Sequence, residues 1–167
     1  LAAFRRASAR GNPQDRGVPV TCVTSQGKHA LVLIPGLMCD EAVWAAQAAA
    51  FAEGYEVLVA DHGDLDSLAA MAQRVLAQTP ERFAVAGHSM GGRVALEIMR
   101  MAGERVTRLA LLDTGFEPLA LGDAGLKEME KRYALLAIAR QQGMRAMAME
   151  WARNMVHPDR LEDAALM

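Results

Sequence analysis

Arg82-Phe83-Ala84-Val85-Ala86-Gly87-His88-Ser89-Met90-Gly91-Gly92-Arg93-Val94-Ala95-Leu96 changes character twice along its length. It opens as a short apolar run, turns on small residues, and continues with helical spacing. The turn, Gly87-His88-Ser89-Met90-Gly91, fits the pattern G-x-S-x-G set between a strand and a helix. Such a turn has to be sharp if the Ser89 hydroxyl is to stand clear of the sheet. Side chains at 87 and 91 would collide where strand and helix converge, so glycine is required at both.

Working outward, Ala30 to Ile34 is a continuous apolar run ending at Pro35-Gly36, as in a strand buried on both faces. Asp40 is placed to cap a helix from about Glu41 to Ala52, closed near Gly54. Tyr55 to Ala60 reads as the next strand and Asp61-His62-Gly63-Asp64 as a turn. Asp66 or Ser67 then caps a helix whose Leu68, Met71, Ala72, Val75 and Leu76 recur at helical spacing. Phe83 to Ala86 is the strand that enters the turn. In the helix after it, Arg93, Glu97 and Arg100 form the polar stripe; Val94, Ala95, Ile98, Met99 and Met101 predict burial, and Gly103 ends it. Val106 to Leu112 is a fourth strand, stopping at Asp113-Thr114-Gly115. Strands alternating with helices over short connections imply a parallel α/β sheet. Right-handed crossovers then put every loop that follows a strand on one edge, where ligands bind in such folds.

From Leu119 the pattern is helical only. Leu126, Met129, Tyr133 and Leu136 form one stripe, Met144, Met147, Ala148, Trp151 and Met155 another, and Pro158 opens a third helix. Five of the 11 methionines lie between Met129 and Met155. They read as an ordinary helix interface or as an adaptable apolar pocket wall. At the other end, Leu1 to Pro19 shows no period and reads as a mobile tail, and Val20 to Val23 as a short edge strand.

The stretch Gly87-His88-Ser89-Met90-Gly91-Gly92, with Leu31-Val32-Leu33-Ile34-Pro35-Gly36-Leu37-Met38 upstream and Leu109-Ala110-Leu111-Leu112-Asp113 downstream, resembles the alpha/beta-hydrolase superfamily. It is most similar to small esterase-type members carrying G-H-S-M-G-G. The resemblance implies a mostly parallel sheet with flanking helices in which residues 20–116 are a partial core. It also implies that residues 117–167 begin a helical cap over the active site, with the last strands missing from a C-terminally truncated chain.

Ser89 is the expected nucleophile, at the head of a helix whose amides favour developing negative charge. Gly87, His88 and Gly91 complete the elbow. The motif puts one oxyanion donor on the residue after the nucleophile, Met90, and the other in the loop after the first buried strand, which gives Leu37. Many relatives carry His where this chain has Pro35. The triad runs in the order Ser, Asp or Glu, then His. Only His157 follows Ser89, and it reads as a polar residue at a helix start. His88 should leave the elbow on the side away from the serine, His29 lies at the wrong strand end, and His62 is placed to line a pocket. Asp113 is the candidate acid, with a plain strand-capping role as the alternative. The chain is expected to lack the catalytic His and the usual Asp.

The 167 residues suit one domain, and 52% hydrophobic with 23% charged residues suits a folded protein. A formal charge of −2 with no basic stripe predicts no nucleic-acid or membrane-surface partner. Cys22 and Cys39 have neither zinc spacing nor disulfide density and predict free thiols in a cytoplasmic protein. No apolar run reaches the ~20 residues of a membrane span, and Leu1 to Arg16 lacks the apolar centre of a signal peptide. These readings converge on a serine hydrolase of a small, largely apolar ester, lactone or thioester, with no metal and no organic cofactor. Carbon–carbon bond hydrolysis, peracid formation and a non-catalytic ligand-binding or receptor role use the same pocket and stay open.

Overall fold

A computed structural model of the chain describes residues 27–163. The expected tail, the Val20 to Val23 strand and Cys22 lie outside the described residues. Four strands, β1 (His29–Ile34), β2 (Tyr55–Val59), β3 (Phe83–His88) and β4 (Val106–Leu112), form one sheet in the order β2-β1-β3-β4. Every adjacent pair is parallel, with Leu33 opposite Val59 on one side and Ala86 on the other.

Between β1 and β2 the chain makes a 3-10 turn over Glu41–Trp44 and helix α1 (Ala45–Phe51). Asp40 caps this segment as expected, its carboxylate accepting from the Ala42 N–H at 2.9 Å. Helix α2 (Leu68–Gln78) is capped by Ser67, whose hydroxyl accepts from the Ala70 N–H, which settles the choice between Asp66 and Ser67. Helix α3 (Met90–Ala102) starts directly after Ser89.

The strand order explains which face each helix covers. The step from β1 to β2 runs one way across the sheet, and those from β2 to β3 to β4 run the other. A right-handed crossover changes face when the direction reverses. Trp44 and α1 accordingly pack on Leu31, Leu33 and Ala84, while α2 and α3 pack on Val32, Ile34 and Val85 from the opposite side. β1 alternates between two cores and so reads as an unbroken apolar run. On α3 the fully buried arc is Val94, Ala95 and Ile98. Met99, expected to be buried, is 37% exposed because it lies one step outside that arc. Glu97 and Arg100 pair at 2.6 Å on the polar side, and the guanidinium holds the Glu97 carboxyl below its ordinary range.

After β4 come α4 (Asp123–Gln142), α5 (Met144–Met155) and a 3-10 turn at Pro158–Arg160 in place of the expected third helix. The two helices pack on each other. The expected α4 stripe is not covered: Leu126 and Tyr133 are 53% and 64% exposed. On α5 Met147 is buried, but Met144 and Met155, at its two ends, are exposed. A two-helix hairpin hides only the surfaces that face each other. Among the described residues no helix is long and apolar enough to cross a membrane.

Candidate active site

The sheet changes winding direction between β1 and β3, and the loops after these two strands flank the crevice where ligands bind in open α/β sheets. Ser89 follows β3 there. Its backbone stands at φ 53°, ψ −116°, a conformation that costs a non-glycine residue roughly 1–3 kcal/mol. Among the described residues only Met38, Ser89 and Asp113 combine a side chain with positive φ. They stand in the loop after β1, at the end of β3 and just after β4. The strain is thus confined to one edge of the sheet, the pattern expected of a functional site.

The glycines hold that geometry. A Cβ on Gly87 would lie 2.6 Å from the Cα of Gly92, and one on Gly91 would lie 2.5 Å from the Pro35 carbonyl oxygen. Both clashes are with backbone, which cannot swing aside. A Cβ on Gly36 would stand 3.4 Å from the Ser89 Cβ, so the loop after β1 reaches the serine itself. The Ser89 N–H donates to the Leu112 carbonyl at 2.9 Å and ties the elbow to β4. The Ser89 carbonyl accepts from the Gly92 N–H at 3.1 Å, which opens α3.

Leu37 and Met90 both border a cavity of about 390 Å³, together with Met38, Val59, His62 and Met71. Its size is within the range of small-molecule pockets. The carboxylate-bearing residues Asp40, Glu41 and Asp61 also line it. Cys39 lines it as well and is an exposed free thiol.

The histidines fall in different places. His29 begins β1, at the edge away from the loops. His157 caps the last 3-10 turn, its Nδ1 accepting from the Asp159 N–H. The ring of His88 packs toward Gly36, with Nδ1 buried and unpartnered and no hydrogen bond to Ser89. His62 lines the cavity, as its place after β2 predicts, with both ring nitrogens buried and unpartnered. Burial lowers its pKa, helped weakly by Arg74 and opposed by the Pro35 carbonyl and Asp61. The Pro35 carbonyl approaches the ring without meeting hydrogen-bond geometry. Asp113 is exposed immediately after β4. Among the described residues no cluster of His, Cys, Asp or Glu is placed to hold a metal ion.

Thr114 went unread in the sequence. Its hydroxyl contacts the Leu112 and Ser89 carbonyls, and its side chain covers the Cα of Gly92. The second glycine of Gly91-Gly92 was the available signal, since a glycine in a first helical turn marks a close approach.

The family model for alpha/beta hydrolases matches residues 31–166. Among solved structures, the chain is 29% identical to an N-formylmaleamic acid deformylase from Pseudomonas putida S16, with a TM-score of 0.50 over 81% of this chain and 57% of that one. It is 25% identical to a hydrolase from Pseudomonas aeruginosa PA01, with a TM-score of 0.66 over 84% of this chain and 55% of that one. A thermophilic esterase from Thermogutta terrifontis shares the fold at 23% identity and a TM-score of 0.60, covering 80% and 55%. No curated protein matches the chain. The chain spans little more than half the length of these structural relatives. Matched by the family model over most of its length, and sharing the parallel sheet and sharp glycine-flanked turn, the chain belongs to the alpha/beta hydrolase family.

Proposed function

We propose that the full-length protein is a serine hydrolase that cleaves a small ester, lactone or thioester through an acyl-enzyme on Ser89. The strained Ser89 backbone, pressed between Gly87 and Gly91 at the head of α3, is the observation that carries this reading. Strain of that kind persists only where the surroundings enforce it, and here it sets the serine at a helix N-terminus.

In the proposed mechanism the Ser89 hydroxyl gives its proton to a base as Oγ bonds to the substrate carbonyl carbon. The carbonyl oxygen becomes an oxyanion held by the N–H groups of Leu37 and Met90. The tetrahedral centre collapses, the alcohol or thiol departs with the proton, and water attacks the acyl-serine by the same path in reverse. The base is assigned to a histidine in the part of the relatives' length that this chain does not span, because His157 is committed to its own cap. Asp113 is the candidate acid, placed at the end of the strand beside the elbow. The α4–α5 hairpin is assigned to the cap, and the roughly 390 Å³ cavity beside Leu37 and Met90 to part of the substrate.

The test uses the full-length protein with a fluorophosphonate probe and p-nitrophenyl butyrate. Labelling and turnover are both expected to vanish in Ser89→Ala with the circular dichroism unchanged. Turnover above a tenth of wild type in that variant overturns the assignment.

A further inference from the structure

We propose that Thr114 is a positioning residue whose hydroxyl aims the Met90 N–H at the substrate carbonyl oxygen, an inference that rests on the serine-hydrolase reading above. The Ser89–Met90 peptide is trans and planar, so its C=O and N–H point in opposite directions along one rigid unit. Whatever fixes the Ser89 carbonyl therefore also fixes the Met90 N–H. The first turn of α3 supplies part of that hold through the Gly92 and Arg93 N–H groups, at 3.1 and 3.4 Å. Thr114 supplies a hold from outside the helix, its hydroxyl lying 3.4 Å from the Ser89 carbonyl oxygen and 3.0 Å from that of Leu112. One hydroxyl hydrogen is shared between two acceptors, so it bridges the elbow to the end of β4. The Ser89 N–H closes the same bridge from the other side by donating to the Leu112 carbonyl.

The Thr114 side chain also fills the space over Gly92, with its hydroxyl nearest. A Cβ on Gly92 would lie 2.7 Å from the Thr114 Cγ2 and 2.8 Å from its Cβ. Gly91 meets the backbone that follows β1, and Gly92 meets Thr114 after β4. The first turn of α3 is thereby gripped from the two strands that flank β3. The need for a pair of glycines follows from the two contacts.

The experiment compares Thr114→Val and Thr114→Ser with wild type in the full-length protein. Thr114→Val keeps the shape and removes the hydroxyl, and it is expected to lower kcat roughly three- to tenfold with KM within about twofold, the scale of one neutral hydrogen bond. The fluorophosphonate labelling rate should fall by a similar factor, since phosphonylation uses the same oxyanion donors. Thr114→Ser should restore most of both rates. If Thr114→Val fails to fold, Thr114→Ala takes its place in the same comparison. Wild-type kcat without the hydroxyl, a lowered melting temperature as the sole effect, or equal damage by serine each overturns the inference. Turnover that survives Ser89→Ala overturns the hydrolase reading instead, so the two failures are distinguishable.

Discussion

At the scale of single residues the elbow is set by close packing against backbone, and glycine substitutions report it. Gly91→Ala should cost about 1–3 kcal/mol of stability and abolish turnover, because its methyl would press on the Pro35 carbonyl. Gly54→Ala is the control: nothing lies within 4 Å of its added Cβ, and its melting temperature should match wild type. His62 makes a separate prediction. Burial depresses its folded pKa below the ordinary 6.5, so the unfolded chain binds the proton more readily. Its neutral form favours the fold fully above about pH 6.5, and that contribution is lost as the pH falls through the depressed value. Thermal melts from pH 8 to 5 should decline less steeply in His62→Gln; parallel curves for the two proteins would rule the ring out as the titrating group.

Among elements, β4 and α2 carry the informative contrasts. Among the described residues β4 pairs with β3 on one side alone, and Leu109, Leu111 and Leu112 on it are 38%, 42% and 41% exposed. An apolar strand with a free backbone edge is a template for association. Light scattering should show the 167-residue chain self-associating, and Leu111→Lys should reduce this without lowering the melting temperature. The C-terminus of α2 is held differently. One guanidinium nitrogen of Arg105 lies within hydrogen-bond distance of the Leu76, Thr79 and Pro80 carbonyls, which share its two hydrogens, and the group lies 5.5 Å from the Phe83 ring centre. Arg105→Ala is expected to cost about 1.5–3 kcal/mol, the range for hydrogen bonds to a charged group, readable as a lower urea midpoint with the slope unchanged.

Over the whole molecule, packing divides into a sheet whose central strands β1 and β3 are buried and a hairpin whose two helices pack mainly on each other. β1 has no exposed residue after His29, whereas Gly125 is the only buried residue of α4. Amide exchange should therefore be slowest in β1 and β3 and much faster along α4, since local opening follows the amount of buried apolar contact. Equal protection of α4 and β1 would show that the hairpin unfolds only with the core.

The sequence alone determined the four strands, most of the helical segments and the sharp glycine-flanked turn, because these are written in short-range terms. Alternating or 3.6-residue apolar spacing needs no partner to be read, and Gly87 and Gly91 mark a tight turn by what they lack. Even the double burial of β1 showed as an unbroken run from Ala30 to Ile34. Tertiary structure decided what covers what. The order β2-β1-β3-β4, Thr114 against Gly92 and Arg105 beneath the end of α2 all join segments far apart in the chain. Apolar spacing marks a face as one that can be buried without naming its neighbour, and Leu126 and Tyr133 stay more than half exposed in the described chain. A lone threonine after a strand looks like any loop residue until the fold brings the carbonyl of Ser89 to its hydroxyl.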